Sequence, residues 1–182
     1  VTPDSIMDIA HGEKTLWYYV DPTISPELRR AGEATLRAFG ACNRFFHCEF
    51  FRLKTGKPGL GKAGEILGLE VNMRPAGGYT VDMLNYAGGL DLYQVWADMV
   101  TFGEARHPLA RYHRCCCCTS RRDSIGYAVS HAQILEKYRQ QINAAPRLPE
   151  GLARERGDQL YIACVEDAGA MAAFREDVQR RA

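Results

Sequence analysis

Arg44-Phe45-Phe46-His47-Cys48-Glu49-Phe50-Phe51-Arg52-Leu53 and, after a Gly-, Lys- and Pro-rich connection, Glu65-Ile66-Leu67-Gly68-Leu69-Glu70-Val71-Asn72-Met73 read as the two arms of a β-hairpin. The first arm is aromatic, and the second sets apolar residues among polar ones. Strand side chains alternate between faces, so His47, Glu49 and Phe51 share one face of the first arm, and Glu70, Asn72 and Arg74 share one face of the second. A hairpin closing about the middle of its connection, near Leu60, sets Glu49 opposite Glu70 and His47 opposite Asn72. Two carboxylates in that position repel each other, and placing them among phenylalanines adds a desolvation cost unless a cation bridges them. Either they are solvated face residues of an antiparallel sheet, or they hold a divalent metal. Carboxylates with an amide oxygen are hard donors that suit Mg²⁺.

Elements are legible on both sides of this hairpin. Thr15 to Val20 is a strand that runs into a turn at Asp21-Pro22. Ser25 caps a helix with Pro26 at its first position, an apolar stripe of Leu28, Ala31, Ala34, Ala38 and Phe39, and Gly40 as the stop. After the Ala76-Gly77-Gly78 loop, Thr80 caps a helix through Tyr86, and helical periodicity resumes from Leu90 to Val100. Farther on, the chain reads as strands around a Ser120 to Asp123 turn that involve Tyr112, the Cys run and Tyr127. A helix capped by Ser130, a strand at Gln159 to Val165 and a helix at Ala168 to Val178 follow. Trp17, Tyr18, Tyr19 and Trp96 read as core.

Glu70-Val71-Asn72-Met73-Arg74-Pro75-Ala76-Gly77-Gly78, preceded by Phe46-His47-Cys48-Glu49-Phe50-Phe51, resembles the C-terminal metal-binding end of the ATP-grasp superfamily of carboxylate ligases, the biotin carboxylase-like and carboxylate–amine ligase type. The resemblance runs from about Thr15 to Val100, takes in Asp91-Leu92-Tyr93 and Trp96-Ala97, and thins after Ala110. It implies that Glu49, Glu70 and Asn72 hold the Mg²⁺ (or Mn²⁺) of bound ATP and that Arg74 contacts the reacting carboxylate or phosphate. It also implies an α+β fold, an antiparallel sheet with packed helices. Residues 1–105 would form a C-terminal ATP-grasp-like half and residues 106–182 a smaller α/β extension packed on it. The superfamily's phosphate-covering loop, ATP-contacting lysines and adenine hinge precede this motif, and the first residue here is Val1, so the chain reads as a fragment whose partner is the missing N-terminal lobe or a second subunit. The function implied is ATP-dependent ligation of a small carboxylate through an acyl phosphate, in the full-length parent. The alternatives are a non-catalytic binding or dimerisation module derived from that fold and, more weakly, a Cys-based metal or redox protein.

Composition narrows the classes. With 23 basic and 22 acidic residues in 182, no net field favours nucleic acid or a membrane surface. No run of about 18 apolar residues is present and no basic-then-apolar leader opens the chain, so the expected location is cytoplasmic. The seven cysteines, four of them consecutive at Cys115 to Cys118, are expected to be reduced. Adjacent strand residues face opposite ways and cannot converge on one zinc ion, so the run reads as strand thiols, with a redox or metal role aided by His113 as the alternative. Gly56 to Ala63 nearly spells a phosphate-binding loop, but it lacks the Ser or Thr and the following helix and reads as the hairpin connection. Arg111, Arg114, Arg121 and Arg122 read as a solvated basic strip. His47 is assigned to packing or to a carboxylate rather than to ligation, and His11, His107 and His131 to surface or caps. Asp82 and Asn85 read as cap residues ahead of substrate contacts.

Overall fold

The structure, a computed structural model, describes residues 1–3, 6–11, 14–107 and 114–182. In chain order these form α1 (Ile6–Ala10), β1 (Trp17–Val20), α2 (Pro26–Ala38), β2 (His47–Arg52), β3 (Ile66–Asn72), α3 (Thr80–Gly88), α4 (Leu92–Phe102), β4 (Cys115–Arg121), α5 (His131–Lys137), β5 (Ile142–Ala144), α6 (Glu150–Arg156), β6 (Gln159–Val165) and α7 (Ala168–Gln179). The fold is α+β with antiparallel pairing throughout. The strands make two sheets rather than one: a four-stranded sheet of order β1-β4-β6-β5 and the β2-β3 hairpin. Two compact units result, one from residues 1–22, 82–90 and 110–182 and one from residues 23–81 and 91–109. No described helix is long and apolar enough to cross a membrane.

The first unit is organised by β4 and β6. Every residue of β6 is buried, and Cys116, Cys117 and Cys118 are buried on both faces of β4. One face packs Cys117, Tyr161, Ala163 and Val165 with Trp17, Ile134 of α5 and Met171, Phe174 and Val178 of α7. Burying a side chain of that size contributes about 1.5–3 kcal/mol. Ser130 caps α5 as expected, and Gln133 completes a reciprocal capping box with it; on α7 Asp167 accepts from the Ala170 N–H. Gly157 follows α6 with φ 95°, where a Cβ would stand 2.6 Å from Ser120 Oγ and 2.9 Å from the Arg121 carbonyl, so β4 leaves no room for a side chain.

Two details differ from the sequence reading. Tyr127 does not enter a strand but bridges singly to Arg181, because the chain after Arg121 turns away from β4. Arg121 and Arg122 are not part of a solvated strip. Arg121 donates through Nε to the Val178 carbonyl at 2.6 Å, and Arg122 donates to the carbonyls of Ile9, Ala153 and Arg154. They close the C-terminal ends of α7, α6 and α1, where carbonyls lack helical partners. Arg114 donates to the Tyr86 carbonyl. Ala110, Arg111, Tyr112 and His113 lie outside the described residues.

The second unit contains α2, the hairpin and α4. Ser25 accepts from the Leu28 N–H at 3.3 Å, Pro26 starts α2, and Gly40 follows it with φ 60°. α2 lies against β3, yet none of its residues is buried. Segment 54–64 is the hairpin connection, with Lys57 and Gly61 bridged and Gly59 and Gly64 at positive φ.

Candidate active site

The hairpin register aligns His47 with Asn72, Cys48 with Val71 and Glu49 with Glu70, as symmetric closure near Leu60 predicts. A bulge follows at once: Phe50 pairs with Gly68, leaving Leu69 as the extra residue beside the acidic pair. Bulges of this kind turn a strand and re-aim its side chains, and they concentrate next to functional sites. His47 Nε2 stands 3.6 Å from Glu49 Oε1, with both side chains about one-third exposed. Glu70 is exposed and Asn72 half-buried. Two polar atoms on this face, His47 Nδ1 and Asn72 Nδ2, are buried without a hydrogen-bond partner. Polar groups buried and unpaired cost about 1–3 kcal/mol each, so such a pair at one register position marks a place shaped for something besides sheet stability.

The donor set fits a hard divalent cation in chemistry: two carboxylates at paired positions and an amide oxygen. It is not a finished cage, because among the described residues no three His, Cys, Asp or Glu side chains come together as metal ligands. That is the condition expected for Mg²⁺, which takes one or two carboxylates from protein and completes its shell with water and substrate phosphates.

Arg74 was expected to share a strand face with Glu70 and Asn72, but β3 ends at Asn72 and Arg74 lies in the bend that follows, where Pro75 has no N–H to continue the ladder. Arg74 is exposed, donates through Nη1 to the Pro75 carbonyl at 3.0 Å, and forms no ion pair among the described residues, so it does not brace the sheet through Glu49 or Glu70. With Phe45, Val81, Leu92, Tyr93 and Trp96 it lines a cavity of about 330 Å³ between α4 and the loop after β3. Trp96 was expected in the core; it is half-exposed and forms cavity wall. A Leu92/Tyr93/Trp96 stripe looks the same in sequence whether a protein or a ligand covers it.

Other candidates resolve differently. Burial pushes the thiol of Cys117 up and that of Cys118 up to about 12, while a hydrogen bond with Cys164, then burial, raises Cys116. Thiols held protonated are poor nucleophiles and poor ligands. His107 and His131 do have partners: His107 Nδ1 lies 2.5 Å from Asp98 Oδ2, and His131 Nδ1 lies 2.8 Å from the Tyr161 hydroxyl. Asp98 is buried on α4, and its hydrogen bond with His107 holds its carboxyl below the usual range. With Gln94 and the Arg106 N–H it ties the segment after Gly103 back to the helix. A lone acid in the apolar run LYQVWADMVTF was the available sign of this anchor.

Comparison with solved structures identifies the scaffold. Phosphoribosylglycinamide synthetase from Anaerococcus prevotii superposes with a TM-score of 0.58 at 11% identity, over 89% of this chain and 43% of that one. L-amino acid ligase from Bacillus licheniformis superposes with a TM-score of 0.61 at 16% identity, over 88% of this chain and 41% of that one. Both are ATP-grasp enzymes. The fold resembles part of the ATP-grasp fold. The chain spans about two-fifths of the length of these ATP-grasp structures. No protein-family model matches the sequence, and no curated protein matches it. At such low identity the likeness establishes the ATP-grasp scaffold and leaves the chemistry to be argued from this chain's own residues.

Proposed function

We propose that this chain carries the metal-binding, C-terminal part of an ATP-dependent carboxylate ligase. The observation behind the reading is the register, which pairs Glu49 with Glu70 and is followed by Asn72 and Arg74 on an ATP-grasp scaffold. In the reaction, an oxygen of the substrate carboxylate attacks the γ-phosphorus of ATP, the bond to the β-γ bridging oxygen breaks, and ADP leaves. An amine or other nucleophile then displaces phosphate from the acyl phosphate. Glu49, Glu70 and Asn72 would hold Mg²⁺ or Mn²⁺ together with the nucleotide's phosphate oxygens; when bound, that ion offsets the charge of the transferring phosphoryl group. His47 orients Glu49 from the neighbouring position on the same face. Arg74 supplies a planar two-pronged donor to carboxylate or phosphoryl oxygens. The remaining nucleotide contacts are assigned to an N-terminal lobe or a second subunit.

Titration with Mn²⁺, read by water-proton relaxation, tests the assignment. Weak binding that Glu70→Gln abolishes is the expected result, and identical titrations for wild type and variant would remove it. Apolar side chains open to solvent in the second unit favour a second reading: Phe39, Phe51 and Leu69 are each more than half exposed. They suit a non-catalytic module that docks on a protein or a second copy. Sedimentation showing a tight dimer, with no Mn²⁺ difference, would favour that reading over the first.

A further inference from the structure

The cavity beside Arg74 has a composition that the metal face does not explain. Its walls are Phe45, Val81, Leu92, Tyr93 and Trp96, and Arg74 is its one charged lining residue. At about 330 Å³ it stands at the small end of ligand sites, which run from about 300 to 1,000 Å³. That is room for a phenyl or branched alkyl group and too little for a nucleotide. Among the described residues no carboxylate lines it, so a substrate group carrying a positive charge would lose its hydration without gaining a partner, and a second carboxylate would meet only apolar wall. Flat aromatic faces favour an aromatic or branched apolar occupant. The hydrogen bond from Arg74 to the Pro75 carbonyl occupies Nη1. The Nε–Nη2 edge therefore presents its two parallel N–H groups to a carboxylate.

We infer that this cavity seats the apolar body of the substrate carboxylate while Arg74 holds the carboxylate end, so the ligase acts on an arylalkyl or branched aliphatic monocarboxylate. The inference rests on the ligase reading and adds the substrate class to it. Discrimination lies in α4 and the loop after Arg74, whereas the acidic face of the hairpin is indifferent to the substrate's side chain.

The test uses three plain carboxylates with the full chain: 3-phenylpropionate, acetate and succinate, followed by amide chemical-shift titration at Ala76 to Gly78. The expected result is saturable shifts with 3-phenylpropionate at least about tenfold tighter than with either other acid, the margin expected for burying one ring. Trp96→Ala and Arg74→Gln should each weaken it about tenfold; both positions are open to solvent, and an unchanged melting transition serves as the control. Equal affinity for all three acids, or tight binding that survives both substitutions, would overturn the inference. The probe carries no phosphate and needs no metal, so the two proposals fail separately. Selective 3-phenylpropionate binding without a Glu70-dependent Mn²⁺ site retires the ligase and upholds the pocket. Mn²⁺ binding with no selectivity among the acids retires the pocket and leaves the ligase.

Discussion

The four-stranded sheet and the two-stranded hairpin use the same pairing geometry for opposite purposes. In β4 and β6 nearly every side chain is buried on one face or the other, and polar groups there are spent on structure: Arg121 closes a helix end, and Cys116, Cys117 and Cys118 are protonated filler. In β2 and β3 no residue is fully buried, each strand pairs only with the other, and His47 Nδ1 and Asn72 Nδ2, at one register position, are buried without a hydrogen-bond partner. A half-exposed hairpin can hold opposed carboxylates because solvent screens their repulsion, a screening that a fully buried pair in β4 or β6 would lack.

Substitutions should separate the two regions, most strongly in the first. Phe174→Ala removes a fully buried ring that meets Tyr138 edge-on at 4.8 Å, and it should cost about 3–5 kcal/mol, lowering the melting temperature by roughly 10 °C in calorimetry. Gly157→Ala should cost about 2 kcal/mol or more in urea unfolding, because the new Cβ strikes Ser120 and the Arg121 carbonyl at a φ of 95°. An unchanged midpoint would mean that β4 can shift, and the contrast with the hairpin would weaken.

Asp177 gives a smaller, pH-dependent effect. Its carboxylate accepts from Lys137 and from the Tyr138 hydroxyl at 2.6 Å, and these bonds, Lys137 first, hold its carboxyl below the usual range. A depressed carboxyl stabilises the fold above its unfolded pKa of about 3.9 and loses that contribution as pH falls through the folded value. Lys137→Met should therefore cost about 1 kcal/mol at pH 7, discounted because the lysine is half-exposed, and the gap to wild type should close below about pH 4. A gap that widened in acid would assign the effect to lost packing. The smallest stability change is expected at the hairpin: Glu49→Gln should move the melting temperature by less than about 2 °C, upward if at all, since it removes repulsion with Glu70. A clear drop there would make the acidic pair structural.

Much of this was legible from residues alone wherever the deciding physics is local. Ser25-Pro26, Ser130 and Gly40 mark helix ends because caps and positive φ involve only neighbours in sequence. The Glu49–Glu70 register followed from symmetric closure about the middle of the connection, near Leu60. The short elements α1, β5 and α6 were missed: each has seven residues or fewer, too few to show a periodicity, and α6 starts at Pro149 without a side-chain cap.

By itself the sequence determined the order of the longer elements, the face shared by His47 and Glu49, and the alternation of the Cys115 to Cys118 run along one strand, since backbone alternation and capping settle these one segment at a time. Tertiary structure alone decided that Arg121 and Arg122 reach into helix ends 31 to 113 residues away, that Asp98 is buried against His107, and that Trp96 forms cavity wall rather than core. A guanidinium, a carboxylate and an indole have the same local preferences whether water, backbone or a ligand meets them, and only the folded chain selects the partner.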